Sequence, residues 1–245
     1  MEDREPGRGP WPVAAWRWHA VLGFGLAGLL LLQLGILGIM LLLGYELGQR
    51  PPVDGRLLFG SLPAQLFWIL SIPLLATLLD RENGWRSLGF AGRPLREFSQ
   101  GLLWYLPIGV TVWGGILAYR LLWTYLAGEE LPDQFAVELV RDEKLRPILV
   151  GAIFLQVAGL TALAEELFFR GLLHGWLRKH LRLWPTALVA GAIFGLVHGL
   201  EFAVPITLFG VLLSWLRERV GLLACVAAHL VHNASVLVLV RYLSY

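Results

Sequence analysis

Pro147-Ile-Leu-Val-Gly-Ala-Ile-Phe-Leu-Gln-Val-Ala-Gly-Leu-Thr-Ala-Leu-Ala-Glu165-Glu166-Leu-Phe-Phe-Arg170-Gly-Leu-Leu-His174-Gly-Trp-Leu177 is an apolar run interrupted by two carboxylates and a guanidinium. A helix rises about 1.5 Å per residue, so roughly 20 apolar residues cross a hydrocarbon core of about 30 Å, and this stretch is long enough. Each charge at the bilayer centre costs about 2.5–3.5 kcal/mol, so Glu165, Glu166 and Arg170 must be paired, buried against protein or functional. Six more apolar stretches surround it: Ala20–Gly44, Leu57–Leu79, Gly101–Ala127, Trp184–Leu200, Ala203–Leu216 and Leu222–Val240. The expected fold is all-α: a multi-pass transmembrane helical bundle of about seven spans, or eight if one is missed, the short sixth being tilted or packed inside the bundle.

Composition agrees. The apolar set makes up 57% of the 245 residues and charged residues only 16%, with a mean hydropathy of +0.65. A soluble domain carries about 25% charge, so this chain lacks the surface that water demands. A net charge of +2 without a Lys/Arg block leaves no footprint for nucleic acid. The single Cys225 excludes an internal disulfide, a thiolate zinc cluster and a CxxC redox motif, and its apolar setting reads as a buried thiol.

Three regions are expected: a cytoplasmic tail over 1–19, N-terminal transmembrane helices with almost nothing ionisable over 20–146, and a membrane core over 147–240 in which any chemistry must lie. Met1–Pro12 lacks apolar periodicity and is expected to be unstructured, while Trp16 and Trp18 are expected at the membrane interface. The first span is too long for a signal-peptide core and has no convincing small-residue cleavage site after it, so it is expected to remain. Loops on the N-terminal side of the membrane carry twelve Lys/Arg against six on the other side. The positive-inside rule therefore places the N-terminus in the cytoplasm and the C-terminus outside. No repeat at a fixed period is visible, which weakens a proton-coupled carrier as an alternative.

The intramembrane Glu and His residues all fall in the second half. Glu166 and Arg170 stand at i, i+4 in the favourable order and can staple the bundle by pairing. Glu165 is rotated about 100° from Glu166 and faces Phe169 at i+4, so that pair leaves it unexplained. Its face carries Ala158, Thr161 and Ala162, small residues that let another helix approach. His198 follows Gly191, Phe194 and Gly195, and His229 stands one turn before Asn233. Measured along their helices from one membrane side, Glu166, His198, Asn233 and His229 lie at roughly 18, 21, 18 and 12 Å, in one layer. His174 and His232 read as hydrogen-bonded core residues.

A carboxylate and an imidazole can take a proton from water and return it to a leaving amine, and a second imidazole with a carboxamide can donate to an oxyanion. Glu165, His198 and His229 also make a plausible zinc shell, and spacing alone leaves both possibilities open. An apolar setting makes Glu165 a competent base unaided, so no metal is expected to be obligatory, with zinc the candidate if one binds.

Glu165-Glu166-Leu-Phe-Phe-Arg170, Phe194-Gly-Leu-Val-His198 and His229-Leu-Val-His-Asn233 together resemble the motifs EExxxR, FxxxH and HxxxN of the CPBP family, the CAAX proteases and bacteriocin-processing proteins. The resemblance covers roughly Pro147–Val240 and implies an intramembrane endopeptidase acting on a membrane-embedded or lipidated protein or peptide. It assigns water activation to Glu165 with His198 and the oxyanion to His229 with Asn233, and it makes Glu166 and Arg170 accessory. The alternative from another class is a non-catalytic membrane protein that binds a peptide or confers bacteriocin immunity.

Overall fold

The computed structural model describes residues 10–45, 54–141 and 145–242, and among these every regular element is helical. In chain order they are α1 (Trp18–Leu42), α2 (Gly55–Leu79), α3 (Pro94–Ala127), α4 (Phe135–Arg141), α5 (Pro147–Leu177), α6 (Leu183–Leu196), α7 (Ala203–Arg219) and α8 (Leu222–Tyr242).

Five of the eight, α1, α2, α3, α5 and α8, are long and apolar enough to cross a membrane. Each of the seven expected stretches falls in a helix, five of these long and apolar enough to cross a membrane and two, α6 and α7, shorter. Helix α6 has 14 residues, about 21 Å of rise, and α7 ends in Arg217, Glu218 and Arg219. The fifth stretch was expected to run to Leu200. It stops at Leu196 because the chain turns at once, with Gly199 in the left-handed region at φ 106°. The chain then returns as α7, packed closely on α6. A Cβ on Gly195 would overlap Thr207 and the Ala203 carbonyl, so the two backbones meet only because Gly195 has none.

The outer helices turn leucines outward. Leu26 and Leu30 on α1, Leu70 on α2 and Leu103 and Leu106 on α3 are all more than half exposed, the reverse of a soluble protein and the pattern of a lipid-facing surface. Inside, α5 is the axis. Trp68 of α2 stacks on Phe168 of α5 with ring centroids 4.8 Å apart. Phe169 of α5 meets Phe194 of α6 edge-on at 4.9 Å.

Two stretches of α5, Leu155–Thr161 and Leu167–Leu173, are wound as π-helix, and the two glutamates occupy the α-helical turn between them, Ala162–Glu166. Such widened turns are costly and concentrate at functional sites. Here side chains from elsewhere bind their carbonyls. Asn233 Nδ2 donates to Val157 O at 2.9 Å, Arg217 Nε to Arg170 O at 2.9 Å and Trp16 Nε1 to Leu172 O at 2.8 Å.

The last of these corrects the reading of Trp16 as an interfacial anchor. Trp16 is completely buried, whereas Trp18 is 56% exposed. Trp11 lies over the Arg217 guanidinium and donates to the Arg217 carbonyl at 3.1 Å. Lys179 Nζ donates to the Trp16 carbonyl. The segment before α1 therefore straps the end of α5, and the part of the leader up to Gly9 lies outside the described residues.

Candidate active site

Glu165 projects from the α-helical turn of α5 between two imidazoles. Its Oε1 is 3.6 Å from His198 Nε2 and its Oε2 is 3.8 Å from His229 Nε2. Neither separation is a direct hydrogen bond. Both are short enough that a water lying off the line would touch the carboxylate and a ring at once.

Both rings are oriented from behind. His198, just past the end of α6, hydrogen-bonds the Phe194 carbonyl through Nδ1 at 2.7 Å. A carbonyl only accepts, so Nδ1 carries the proton and Nε2 is turned to Glu165. His229 on α8 hydrogen-bonds Glu166 Oε1 through Nδ1 at 2.8 Å. Glu166 thus does more than staple the bundle, the role expected from spacing. Its Oε1 also lies 3.1 Å from Arg170 Nη1, with both side chains at most 1% exposed. Arg170 Nη2 donates to the Gly210 carbonyl at 3.3 Å, and the guanidinium sits 4.4 Å from the Phe194 ring centroid. One acid of the adjacent pair lies between the two imidazoles and its neighbour holds the second of them from behind.

Aromatic rings wall the site. Phe194 meets His198 edge-on at 4.7 Å and His229 at 5.9 Å, and Phe209 of α7 meets His229 at 5.3 Å. Glu165 and His198 keep 16% and 27% of their side-chain surface accessible, against 4% for His229. The site is therefore more accessible at Glu165 and His198 than at His229.

Asn233 stands one turn along α8 from His229, as expected. One amide hydrogen is committed to Val157 O, which leaves the second free to donate. His174 and His232 are core residues, as read from sequence. His174 Nε2 bonds Glu218 Oε1 at 2.9 Å, and His232 Nδ1 bonds the Tyr105 hydroxyl at 3.3 Å. Cys225 is a buried free thiol.

For the zinc set Glu165, His198 and His229 the fit is poor. The two rings approach separate oxygens of the carboxylate, and among the described residues no three His, Cys, Asp or Glu side chains group closely enough to hold a metal ion. Sequence reasoning missed Glu166 as the partner of His229 and Arg217 as a ligand of the α5 backbone. Both depend on contacts across 63 and 47 residues that no spacing rule reveals.

Residues 147–235 match a family model, Type II CAAX prenyl endopeptidase Rce1-like. This segment is similar to the Rce1-like domain over those residues. It contains all seven residues fixed by the three motifs, while the Trp11–Trp16 strap and Tyr105 lie outside it. The Rce1-like family implies an endopeptidase of the CAAX type, a membrane-associated prenylated protein as substrate and a lipid bilayer as setting. No curated protein and no solved structure matches the chain.

Proposed function

We propose that this protein is an intramembrane endopeptidase that hydrolyses a peptide bond near a lipidated end of a membrane-associated protein or peptide, using water activated by Glu165 and His198. The observation that carries this reading is the Glu165 carboxylate set between two imidazole Nε2 atoms at 3.6 and 3.8 Å, each ring fixed from behind through Nδ1.

In this mechanism a water sits beside Glu165 and His198. Glu165 takes one of its protons while His198 Nε2 accepts a hydrogen bond from the other and aims the oxygen. The oxygen attacks the scissile carbonyl carbon. The negative charge that gathers on the carbonyl oxygen is met by Nε2–H of protonated His229 and by the free amide hydrogen of Asn233. The adjacent Glu166 carboxylate stabilises that imidazolium through Nδ1. Collapse breaks the C–N bond, and Glu165 returns its proton to the leaving amine. A positioned base contributes about 10²–10⁴ in rate, and an oxyanion donor about 10²–10³. No step runs through a metal.

The proposed orientation keeps the N-terminus in the cytoplasm and the C-terminus outside. It holds whether α6 and α7 cross fully or turn back within the bilayer, since the pair begins and ends on one side either way. Incubating the purified protein with prenylated and unprenylated peptides ending in CAAX sequences, and reading new termini by mass spectrometry, tests the proposal. Cleavage restricted to the prenylated set is expected. No new terminus in either set would refute it.

A further inference from the structure

One polar cluster takes no part in this mechanism. Where the start of α2 packs on the first π-helical stretch of α5, Gln156 Nε2 donates to Leu58 O at 2.7 Å and to Ser61 Oγ at 2.8 Å. Gln65 Nε2 donates to Ser61 Oγ at 3.0 Å and to Thr161 Oγ1 at 2.8 Å. Gln65 is 7% exposed and Gln156 2%. All their amide nitrogens' work is thus done, yet both side-chain oxygens are buried without a hydrogen-bond donor among the described residues.

Two such oxygens in one place in a membrane bundle need an explanation. Leaving a buried acceptor unpaired costs its full desolvation, and apolar side chains could pack the same helix contact without that cost. The cluster is also adjacent to the reaction. Thr161 precedes Glu165 by four residues, about 6 Å along the helix, on the face smoothed by Ala158 and Ala162. Its hydroxyl accepts from Gln65 and keeps its own hydrogen to donate.

We propose that the Gln65–Gln156–Thr161 cluster is a binding site for ordered water, continuous with the cavity in which Glu165 activates its nucleophile. Two acceptor oxygens and one hydroxyl donor complement the two hydrogens and the lone pairs of water, and buried waters make about three such bonds. A peptide main chain also offers N–H donors. The enclosure of both glutamines excludes a ligand of that size. The π-winding contributes by loosening the backbone ladder over the residues that line the site. A hydrolase working in hydrocarbon needs a polar store beside its base, and this cluster supplies one.

The link to Glu165 rests on the endopeptidase reading, whereas the water site does not, and the test separates them. An experimental structure of the full chain in lipid, without substrate, is determined at a resolution that reveals ordered water elsewhere in the bundle. Water density within hydrogen-bond distance of Gln65 Oε1 and Gln156 Oε1 is expected. Absence of density, or density of a lipid or peptide, overturns the site whatever the protein cleaves. The Gln65→Met and Gln156→Met variants then test continuity. A fall in kcat of about tenfold at unchanged KM is expected, and unchanged kcat with the water lost overturns the link to Glu165. Should the variants fail to fold, the density in the parent decides the site alone. Should the parent cleave nothing, the proposed function fails and the density result stands.

Discussion

Removing one member of the Glu166–Arg170 pair tests how the site is built. The two side chains lie 3.1 Å apart and are at most 1% exposed. Glu166→Ala therefore leaves a guanidinium with the Gly210 carbonyl and the Phe194 and Phe169 rings but without its carboxylate partner. An uncompensated buried charge costs about 3–5 kcal/mol. For a chain of this length each kcal/mol moves the melting temperature by roughly 2–4 °C, so a fall of roughly 10 °C is expected. Arg170→Ala should cost less, because Glu166 keeps its hydrogen bond to His229 at 2.8 Å. The double variant should lose less than the sum of the singles, with a coupling of about 1–3 kcal/mol. Unfolding followed by tryptophan fluorescence in detergent micelles, completed as a double-mutant cycle, measures all four states. Single variants that melt within about 2 °C of the parent, or a strictly additive double variant, would refute the reasoning. Glu166→Gln adds a separate readout: it preserves shape but weakens the hold on His229, so kcat should fall by about 10²-fold or more even where folding is retained.

Three further outcomes are expected. Burial pushes the Glu218 carboxyl up, but the His174 hydrogen bond and the Arg217 and Arg178 charges outweigh this and bring it down to about 2 from an ordinary 4.5. The stabilisation is therefore full above pH 4.5 and is lost as pH falls towards 2. The melting temperature of Glu218→Gln should accordingly depend less on pH across that window than the parent's, and equal slopes would contradict the assignment. Single cysteines introduced as Asp3→Cys and Ser244→Cys should label from opposite sides of the membrane, and labelling of both from one side would contradict an odd number of crossings. Dialysis against a strong chelator should leave cleavage unchanged, whereas stoichiometric zinc whose loss and return switch activity off and on would overturn the metal-free mechanism.

The helical bundle was legible because hydrophobic runs report burial in lipid directly. The candidate site was legible as a cluster because charges in such runs are too costly to be incidental, which singled out Glu165, Glu166 and Arg170 before any contact was known. Depth arithmetic brought His198 and His229 to the same layer as the glutamates, and they do meet Glu165. Other features escaped for a physical reason. The end of α6 at Leu196 is set by Gly199 and the tight return of α7, a tertiary matter, while the sequence reads as apolar on to Leu200. Trp16 looked interfacial because aromatic residues flank spans, yet its indole is consumed by the Leu172 carbonyl that the π-winding leaves available. The role of Glu166 was half visible: its i, i+4 pairing with Arg170 is local, whereas its bond to His229 arises only once α5 and α8 are docked.

The central claim is that Glu165 and His198 act on the attacking water. Its most direct test is the cleavage rate of Glu165→Gln and His198→Ala on a prenylated peptide that the parent cleaves, each variant first shown to insert and to melt like the parent. Both changes preserve the Glu166–His229 bond and the Glu166–Arg170 pair, so folding should persist. Cleavage is expected to fall by about 10²-fold or more in each, the contribution of a positioned acid–base group. Turnover at the parental rate in either folded variant would contradict the account.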